Sequence, residues 1–397
     1  MRIEKLVYGG DALGRAEGRV VMTPLALPGE LVRIEIESDK PELIRARVAE
    51  VMEPSSERIA PRCQHFGRCG GCQYQHTSYE YQVKQKVEIL REVLRRVGRL
   101  ELDLEIPTVT AGPWGYRNRI QLHFADRRMG FHAAGSHDIE PILACDVVSP
   151  RLAEAIKTLR EMKRSPRWPR FIRSLELFTN EAEMQVNVLN SGHQRVNRGF
   201  FEWLGQAMPG TLEPALEYDA IGLRFRVSHK SFFQVNRLLL ENLVDAALDG
   251  AAGDTALDLY AGVGLFSLPM AERFKQVTAV EAVTSAAGDL TFNAERHGRK
   301  LTTARARTED FLLAFDGAAP DFVLADPPRA GLGKEAVTEL VRIAPPRINI
   351  VSCDPPTLAR DLQGLVAGGY RVEGVTLVDL FPQTSHIESV TRLVRAS

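Results

Sequence analysis

The carboxyl-terminal half of the chain repeats short apolar runs, separated by segments long enough to hold a helix. From about Phe225 onward, such runs occur at 256–259, 277–280, 322–325 and 348–352. Strands that alternate with helices form a parallel sheet covered on both faces. The final stretch, 376–394, predicts two strands in an antiparallel hairpin at the sheet edge. The pattern therefore predicts an α/β domain over residues 226–397.

Two further units precede this domain. Residues 1–53 alternate apolar and polar positions between Gly and Pro turns, which predicts a small β-barrel. Residues 54–225 mix strand-like and helix-like patterns, which predicts a central α+β domain. Within it, segment 78–97 has apolar residues at helical spacing, with its Lys and Arg expected on the opposite face. This helix could pack beside the cysteines or on the carboxyl-terminal domain.

Composition excludes several classes of protein. Of 397 residues, 50 are basic and 51 acidic, so the net charge of −1 excludes a histone-like nucleic-acid binder. No apolar run approaches the roughly 18 residues that a membrane helix needs, and the amino terminus lacks the pattern of a signal peptide. We expect a cytoplasmic protein with no membrane partner. Five cysteines without an export signal favour metal ligation or a reactive thiol over disulfides.

A Gly-rich turn marks a candidate cofactor site. The strand 256–260 leads into Gly262-Val263-Gly264, and Glu281 follows 23 residues after Asp258. Such turns direct helix-start N–H groups at a ligand, and an acid in this position accepts hydrogen bonds from ribose hydroxyls. The third glycine of a dinucleotide motif is missing, so an adenosine with a non-phosphate tail, such as S-adenosylmethionine, fits better. The alternative is a structural turn with a solvated glutamate.

Two proline-rich motifs follow neighbouring strands of the predicted sheet. They are Asp326-Pro327-Pro328-Arg329 and Ser352-Cys353-Asp354-Pro355-Pro356. Ligands of open parallel sheets bind beyond the carboxyl ends of strands, so both motifs are expected to face the crevice of the Gly-rich turn. Arg329 stands where exocyclic-amine methyltransferases have an aromatic residue, which argues against that chemistry. Cys353 suits a nucleophile, although a lone cysteine is more commonly a small buried residue.

These motifs resemble those of the RNA 5-methyluridine methyltransferases. The resemblance covers nearly the whole catalytic half. It is carried by the motifs Phe232–Asn236, Tyr260–Gly264, Asp326–Arg329, Ser352–Asp361 and His386–Glu388. It implies a Rossmann-like methyltransferase domain that methylates carbon 5 of a uridine through a covalent cysteine adduct.

The resemblance also implies roles for individual residues. Cys353 would be the nucleophile that adds to carbon 6, and Glu388 the base that removes the carbon-5 proton. The implied S-adenosylmethionine contacts are Gln234, Tyr260, Glu281, Asp326 and Asp310, the last near the adenine. The target uridine would leave its stack to reach the nucleophile. A solvated strand-end carboxylate is the alternative interpretation of Glu388.

Four of the five cysteines form a candidate metal site. Cys63, Cys69 and Cys72 lie in a Gly-rich segment, and Cys145 is the remaining candidate for a fourth ligand. Clustered thiolates bind an iron–sulfur cluster or zinc. The segment 63–72 resembles the [4Fe–4S] ligand loop of one branch of the same family, with a structural or RNA-positioning role. Zinc, with His65 or His76 replacing a cysteine, is the alternative; a non-metal role also stays open.

Other features point to an RNA partner. Residues 1–53 resemble the TRAM module, an RNA-binding barrel of the OB type; a purely stabilising barrel is the alternative. Segment 157–173 interleaves seven basic residues with Trp168 and Phe171, which suits phosphate contact and base stacking, or simply a solvated helix end. We expect a monomer that acts on rRNA rather than tRNA. An inert RNA-binding protein and a redox protein that uses the cluster are the competing functions.

Overall fold

The amino-terminal unit is a closed five-stranded barrel. The computed structural model describes residues 1–126, 128–212 and 215–396. The first strands are β1 (Ile3–Leu6), β2 (Asp11–Ala16), β3 (Arg19–Pro24), β4 (Leu31–Lys40) and β5 (Leu43–Glu53). They pair in the order β1-β2-β3-β5-β4, and a bridge between Arg2 and Leu31 joins β4 back to β1. Closure leaves no long free edge.

A helix and a two-residue strand follow the cysteine-rich loop. They are α1 (Tyr79–Arg96) and β6 (Thr108–Val109). The Ser78 hydroxyl caps α1 by accepting a hydrogen bond from the Tyr81 N–H at 3.3 Å. One face of α1 is buried at residues Gln82, Lys86, Ile89, Leu90 and Leu94. No helix in the described ranges is both long and apolar enough to cross a bilayer.

The central unit is a six-stranded sheet with two helices. In the described ranges its elements are β7 (Arg119–Ala125), β8 (Arg128–His132), β9 (Ile139–Pro141), α2 (Pro150–Met162), β10 (Ser174–Thr179), β11 (Met184–Asn190), α3 (Arg198–Ala207) and β12 (Thr211–Leu212). The strand order is β12-β11-β10-β7-β8-β9. Leu152, Ile156 and Leu159 of α2 pack into a core with residues of β7 and β10. This spacing of three and four residues is typical of an amphipathic helix.

The remaining described elements form the catalytic half. A hairpin of β13 (Ala215–Ala220) and β14 (Leu223–Ser228) comes first, and its apolar residues pack in one core with those of the following helix. The later elements are α4 (Leu240–Ala247), β15 (Thr255–Leu259), α5 (Ser267–Arg273), β16 (Gln276–Val280), α6 (Thr284–Arg296), β17 (Thr302–Ala304), α7 (Thr308–Leu313), β18 (Phe322–Ala325), α8 (Gly333–Ile343), β19 (Arg347–Ser352), α9 (Pro355–Ala367), β20 (Tyr370–Val378) and β21 (Ser389–Arg395).

The large sheet confirms the predicted α/β architecture. Its order is β17-β16-β15-β18-β19-β21-β20-β6, and strands β15 to β19 pair in parallel. All four residues of β18 are buried, as expected for a strand covered on both faces. The predicted hairpin is present, but β21 is inserted between β19 and β20. The sheet edge beyond β20 is occupied by β6 instead.

Helix α1 packs on the catalytic half and corrects one sequence expectation. Its residues Ile89, Leu90 and Leu94 share a core with α8 and α9. Lys86, expected on the solvated face, is fully buried. Its Nζ donates to Asp379 Oδ1 at 2.7 Å and to the Phe381 carbonyl at 2.8 Å. Helical periodicity missed Lys86 because a buried ammonium requires partners that lie far away in sequence.

The buried ion pair predicts a large loss of stability when only one partner is removed. Lys86→Met leaves the Asp379 carboxylate buried without its cation, so the free energy of unfolding should fall by about 3–5 kcal/mol. The measurement is urea unfolding followed by circular dichroism. Lys84→Met, at an exposed position of the same helix, is the matched control and should change little. The double variant Lys86→Met, Asp379→Leu should recover most of the loss; equal losses in the single and double variants would contradict this account.

Candidate active site and cysteine-lined cavity

Four candidate site residues each follow directly after a parallel strand. Tyr260, Glu281, Asp326 and Cys353 succeed β15, β16, β18 and β19, respectively. The carboxyl ends of parallel strands lie at the same end of the sheet. Backbone hydrogen bonds join the segments that follow them. The Asp326 N–H donates to the Leu259 carbonyl at 3.3 Å, and the Glu281 N–H donates to the Ala304 carbonyl at 3.0 Å. The strand order therefore collects these side chains at one crevice.

The antiparallel strand β21 brings a fifth residue to the same edge. Its register pairs Ser389 with Ser352, so Glu388 and Cys353 both lie one residue beyond this pair. Glu388 is only 4% exposed. The inserted position of β21 thus places a buried carboxyl group beside a thiol that lies 35 residues earlier in the chain.

The acids at this edge are buried and close enough to perturb one another. Burial and the neighbouring Asp326 raise the pKa of Glu388 well above its ordinary value. Burial raises the pKa of Asp326 to about 7, opposed by the Gln234 amide, which donates to Asp326 Oδ2 at 3.2 Å. Burial, Glu388 and Asp326 together raise the pKa of the Cys353 thiol to about 12. The Arg329 guanidinium opposes the shifts of Glu388 and Cys353, and a further cation beside these groups would oppose all three shifts.

Glu281 holds the Gly-rich turn in place through two hydrogen bonds. Its two carboxylate oxygens accept the N–H groups of Gly262 at 2.8 Å and Val283 at 2.7 Å. Gly262 has a φ of +56°, and a Cβ added there would meet no atom within 4 Å, so a ligand has room to approach. Gly264 is required for packing, because its Cβ would lie 2.8 Å from Leu290 Cδ1.

The other predicted cofactor residues differ in their setting. Tyr260 adopts a φ of +62°, an uncommon conformation for a residue other than glycine. Gln234 is buried and contacts Asp326. Asp310 lies in the first turn of α7, and its exposed carboxylate has no hydrogen bond or ion pair within the described residues. The structure therefore brings Gln234 and Asp326 into direct contact, whereas, in the described part of the chain, Asp310 makes no hydrogen bond or ion pair with the other candidates.

Tyr8 is a neighbour of the site that the sequence did not reveal. Its hydroxyl donates to Asp354 Oδ2 at 2.9 Å, and Asp354 in turn caps α9 through the Thr357 N–H. Tyr8 belongs to the barrel and is 346 residues distant from Asp354. No local pattern signals such a contact, because it arises only when the barrel docks on the catalytic half. The loop that holds Cys353 is thereby fixed from both sides.

The four remaining cysteines line one cavity of about 380 Å³, together with Gly70, Gly71 and Arg117. Cys63, Cys69 and Cys72 come from the loop between β5 and α1, and Cys145 from the loop between β9 and α2. Burial, and to a lesser extent the neighbouring cysteines, raise the pKa of Cys72 to about 11 and of Cys145 to about 12. The four cysteines therefore line the same, partly open cavity.

The two candidate histidine ligands are placed differently from the thiols. The His65 Nε2 accepts the Leu143 N–H at 3.1 Å, so its Nδ1 donates to Glu140 at 3.2 Å. Both ring nitrogens of His65 are therefore engaged. His76 is not among the described residues that line the cavity. Within the described ranges, no group of three or more His, Cys, Asp or Glu side chains is arranged to hold a single metal ion.

The basic segment 157–173 corrects one expectation. Trp168, expected to stack on bases, is 3% exposed and packs between Phe124 and Phe200. It is a core residue, which periodicity in a short irregular segment could not distinguish from a surface residue. Five of the seven basic side chains are exposed to solvent, namely those of Lys157, Arg164, Arg167, Arg170 and Arg173.

Comparisons with known proteins agree with this geometry. Residues 210–396 match the family model described as tRNA (uracil-5-)-methyltransferase. The chain is 34% identical to the 23S rRNA (uracil(1939)-C(5))-methyltransferase RlmD of Halomonas elongata, over 98% of this chain and 88% of that protein. It is 32% identical to an uncharacterized RNA methyltransferase of Aquifex aeolicus, over 99% and 97% of the two chains.

A solved structure shares the whole architecture. It is the Pyrococcus abyssi tRNA (uracil-54, C5)-methyltransferase in complex with S-adenosyl-L-homocysteine. The TM-score is 0.74 at 25% identity, and the match covers 99% of this chain and 100% of that one. Because full-length relatives exceed 30% identity and the catalytic half fits the family model, the chain is a methyltransferase of the RNA uracil-5 methyltransferase family.

Proposed function

We propose that this enzyme transfers a methyl group from S-adenosylmethionine to carbon 5 of a specific uridine in RNA through a covalent adduct with Cys353. The observation that carries the proposal is the β19–β21 register, which sets Cys353 and Glu388 side by side at the end of the parallel sheet. A thiol and a buried carboxyl group that lie side by side can supply a nucleophile and a base.

Cys353 starts the reaction. Its thiolate adds to carbon 6 of the uracil, forming a carbon–sulfur bond and an enolate whose carbon 5 is nucleophilic. Because burial and the neighbouring acids raise the pKa of the free thiol to about 12, the thiol needs a base, and we assign the Asp326 carboxylate as the acceptor of its proton. S-adenosylmethionine supplies an electrophilic methyl group on a sulfonium, and its positive charge favours the ionised forms of these acids.

Glu388 completes the reaction. After methylation, carbon 5 carries both a methyl group and a proton. The Glu388 carboxylate removes this proton, the carbon–sulfur bond to Cys353 breaks, and the double bond of the ring is restored. The raised pKa of Glu388 makes it a stronger base than an exposed carboxylate. Cys353 leaves as a thiolate and regains its proton from Asp326. Glu388 gives the carbon-5 proton to solvent, and the enzyme returns to its initial state.

The remaining cofactor residues surround the position of the methyl donor. We assign the ribose to Glu281, whose oxygens retain further lone pairs beyond those that hold the turn. Gln234 and Asp326 would contact the methionine part, and Tyr260 lies at the strained start of the turn. Asp310, exposed on α7, would contact the adenine. The open space above Gly262 supports this assignment.

We favour rRNA over tRNA as the substrate of this enzyme. The full-length relative at 34% identity is named for 23S rRNA, whereas the tRNA enzyme of known structure is 25% identical. We interpret the barrel of residues 3–53 as a TRAM-like RNA-binding module. The exposed arginines between 164 and 173 suit phosphate contacts. Phe232, 57% exposed and two residues from Gln234, offers a ring on which a base could stack.

We assign a [4Fe–4S] cluster to the cavity, with Cys63, Cys69, Cys72 and Cys145 as ligands. The donor set fits, because four cysteines line one cavity and the backbone N–H groups of His65 and Gly71 donate to the Cys63 and Cys69 sulfurs, both at 3.4 Å. When bound, the cluster would link two distant loops of the chain. Zinc with a histidine ligand is less well supported, because both ring nitrogens of His65 are engaged.

The proposed reaction predicts two different failures. With unmodified 23S rRNA transcript and methyl-labelled S-adenosylmethionine, Cys353→Ala should give no 5-methyluridine, because no enolate forms. Glu388→Gln should transfer the methyl group but retain the RNA as an adduct that survives denaturing electrophoresis. Nucleoside mass spectrometry identifies the product. Methylation by Cys353→Ala would refute the covalent mechanism, and absence of transfer by the unaltered enzyme to either rRNA or tRNA would favour an inert RNA-binding protein.

The reactivity of Cys353 should depend on pH in a defined direction. A thiol whose pKa is raised to about 12 is protonated at neutral pH, so alkylation by iodoacetamide should be slow at pH 7 and still increase above pH 9. Glu388→Gln removes one cause of the shift and should accelerate alkylation at pH 9. Peptide mass spectrometry measures the rate, with the exposed Glu335→Gln as control. A plateau near pH 8.5 in the unaltered enzyme would contradict the buried, acid-flanked setting.

The cluster assignment predicts the metal content. Enzyme purified without oxygen should hold about four iron and four sulfide per chain, and Cys145→Ser should lose most of both. Cys353→Ser, whose sulfur is outside the cavity, should retain them. Elemental analysis and sulfide determination make the measurement. Stoichiometric zinc without sulfide would overturn the assignment.

A further inference from the structure

The cysteine-rich loop is hydrogen-bonded to the loop that precedes Glu388. The N–H groups of Gln73 and Tyr74 both donate to the Gln383 carbonyl at 3.0 Å. Gln73 is the residue after Cys72, and Gln383 lies five residues before Glu388. Two loops that are more than 300 residues apart are thus joined next to a cysteine of the cavity on one side and close to the proposed base on the other.

The Gln73 side chain strengthens this junction by bridging the two loops. Its Oε1 accepts the Ser385 N–H at 3.0 Å, and its Nε2 donates to the Gly70 carbonyl at 2.9 Å. Gly70 lies between Cys69 and Cys72. Only this orientation of the amide satisfies both partners, since the reverse would set two donors and two acceptors face to face. The Gln73 side chain therefore binds both the cysteine-rich loop and the loop that precedes Glu388.

The junction is tightly packed and conformationally strained. Gln383 has a φ of +69°, which is costly for a residue other than glycine and persists only when its surroundings impose it. Gly10 of the barrel has no room for a side chain, because its Cβ would lie 2.8 Å from Gln73 Cγ and 3.1 Å from Ser385 Cβ. The barrel thus covers the bridge and restricts its movement.

We propose that Gln73 is a positioning residue for the methyl-transfer reaction: it couples the cysteine loop to Glu388 and so controls removal of the carbon-5 proton. The inference rests on the proposed function, in which Glu388 acts only after the methyl group has been transferred. Its consequence is selective. Loss of the bridge slows release of the methylated RNA and leaves formation of the adduct with Cys353 nearly unchanged.

The experiment compares adduct formation with product release in the full-length, cluster-loaded enzyme. Gln73→Ala is mixed with unmodified 23S rRNA transcript and methyl-labelled S-adenosylmethionine. Labelled adduct is followed on denaturing gels and free 5-methyluridine by mass spectrometry. Loss of hydrogen bonds of ordinary strength should slow release about tenfold, so labelled adduct accumulates. Iron content should equal that of the unaltered enzyme.

Matched variants make the result specific. Gln64→Ala changes an exposed glutamine of the same loop and should release product at the normal rate. Gln73→Glu keeps an acceptor for the Ser385 N–H but places a second acceptor opposite the Gly70 carbonyl, so product release should again be slow. This variant also serves if Gln73→Ala fails to retain its iron.

Two results would overturn the proposal. One is an unchanged release rate in Gln73→Ala; the other is an equal loss of adduct formation and release, which would indicate a general structural role. Glu388→Gln, measured in parallel, separates the two levels of inference. If it accumulates adduct while Gln73→Ala does not, only the role of Gln73 is wrong. If it accumulates none, the assignment of the base is wrong and the role of Gln73 fails with it.

Discussion

The buried ammonium of Lys86 fixes the segment on which Glu388 depends. Residues 379–388 connect two strands without regular structure, so their polar groups need partners from elsewhere. Lys86 bonds to both Asp379 and the Phe381 carbonyl, and Gln82 of the same helix exchanges two hydrogen bonds with Gln383, each 3.0 Å long. Because a buried charge is strongly destabilising when unpaired, helix α1 and this segment stabilise each other. The proposed base is therefore held by a helix from the amino-terminal half.

The site itself is built around an excess of buried acids. Asp326, Glu388 and the Cys353 thiol each have a raised pKa, because burial disfavours their charged forms and the acids act on one another, while Arg329 opposes the shifts of Glu388 and Cys353. A sulfonium brings the missing positive charge. Its positive charge would favour the ionised form of each group, so binding of the methyl donor would promote ionisation of the proposed nucleophile.

The sequence was informative for the candidate site residues that directly follow regular strands. Tyr260, Glu281, Asp326 and Cys353 could be placed at one edge because parallel strands end together, and this required only the positions of the strands. The sequence could not predict the contacts that the barrel and the cysteine-rich loop make with the carboxyl-terminal domain. Tyr8 bonds to Asp354, and Gln73 to Ser385, across more than 300 residues, with no periodic pattern at either partner. Strand β6, with two residues, is too short to leave a pattern, so the sheet edge was assigned to the hairpin instead.

The order of elements along the chain places the cysteines on both sides of helix α1. Helix α1 and strand β6 belong to the catalytic half, yet they precede the six-stranded sheet, which is therefore inserted between two parts of that half. Cys63, Cys69 and Cys72 lie before α1, whereas Cys145 lies within the insertion. A group bound by all four would tie the insertion to the start of α1, beside the Gln73 bridge. Through the proposed Gln73 bridge, the orientation of the insertion and the position of Glu388 would then depend on the same few contacts.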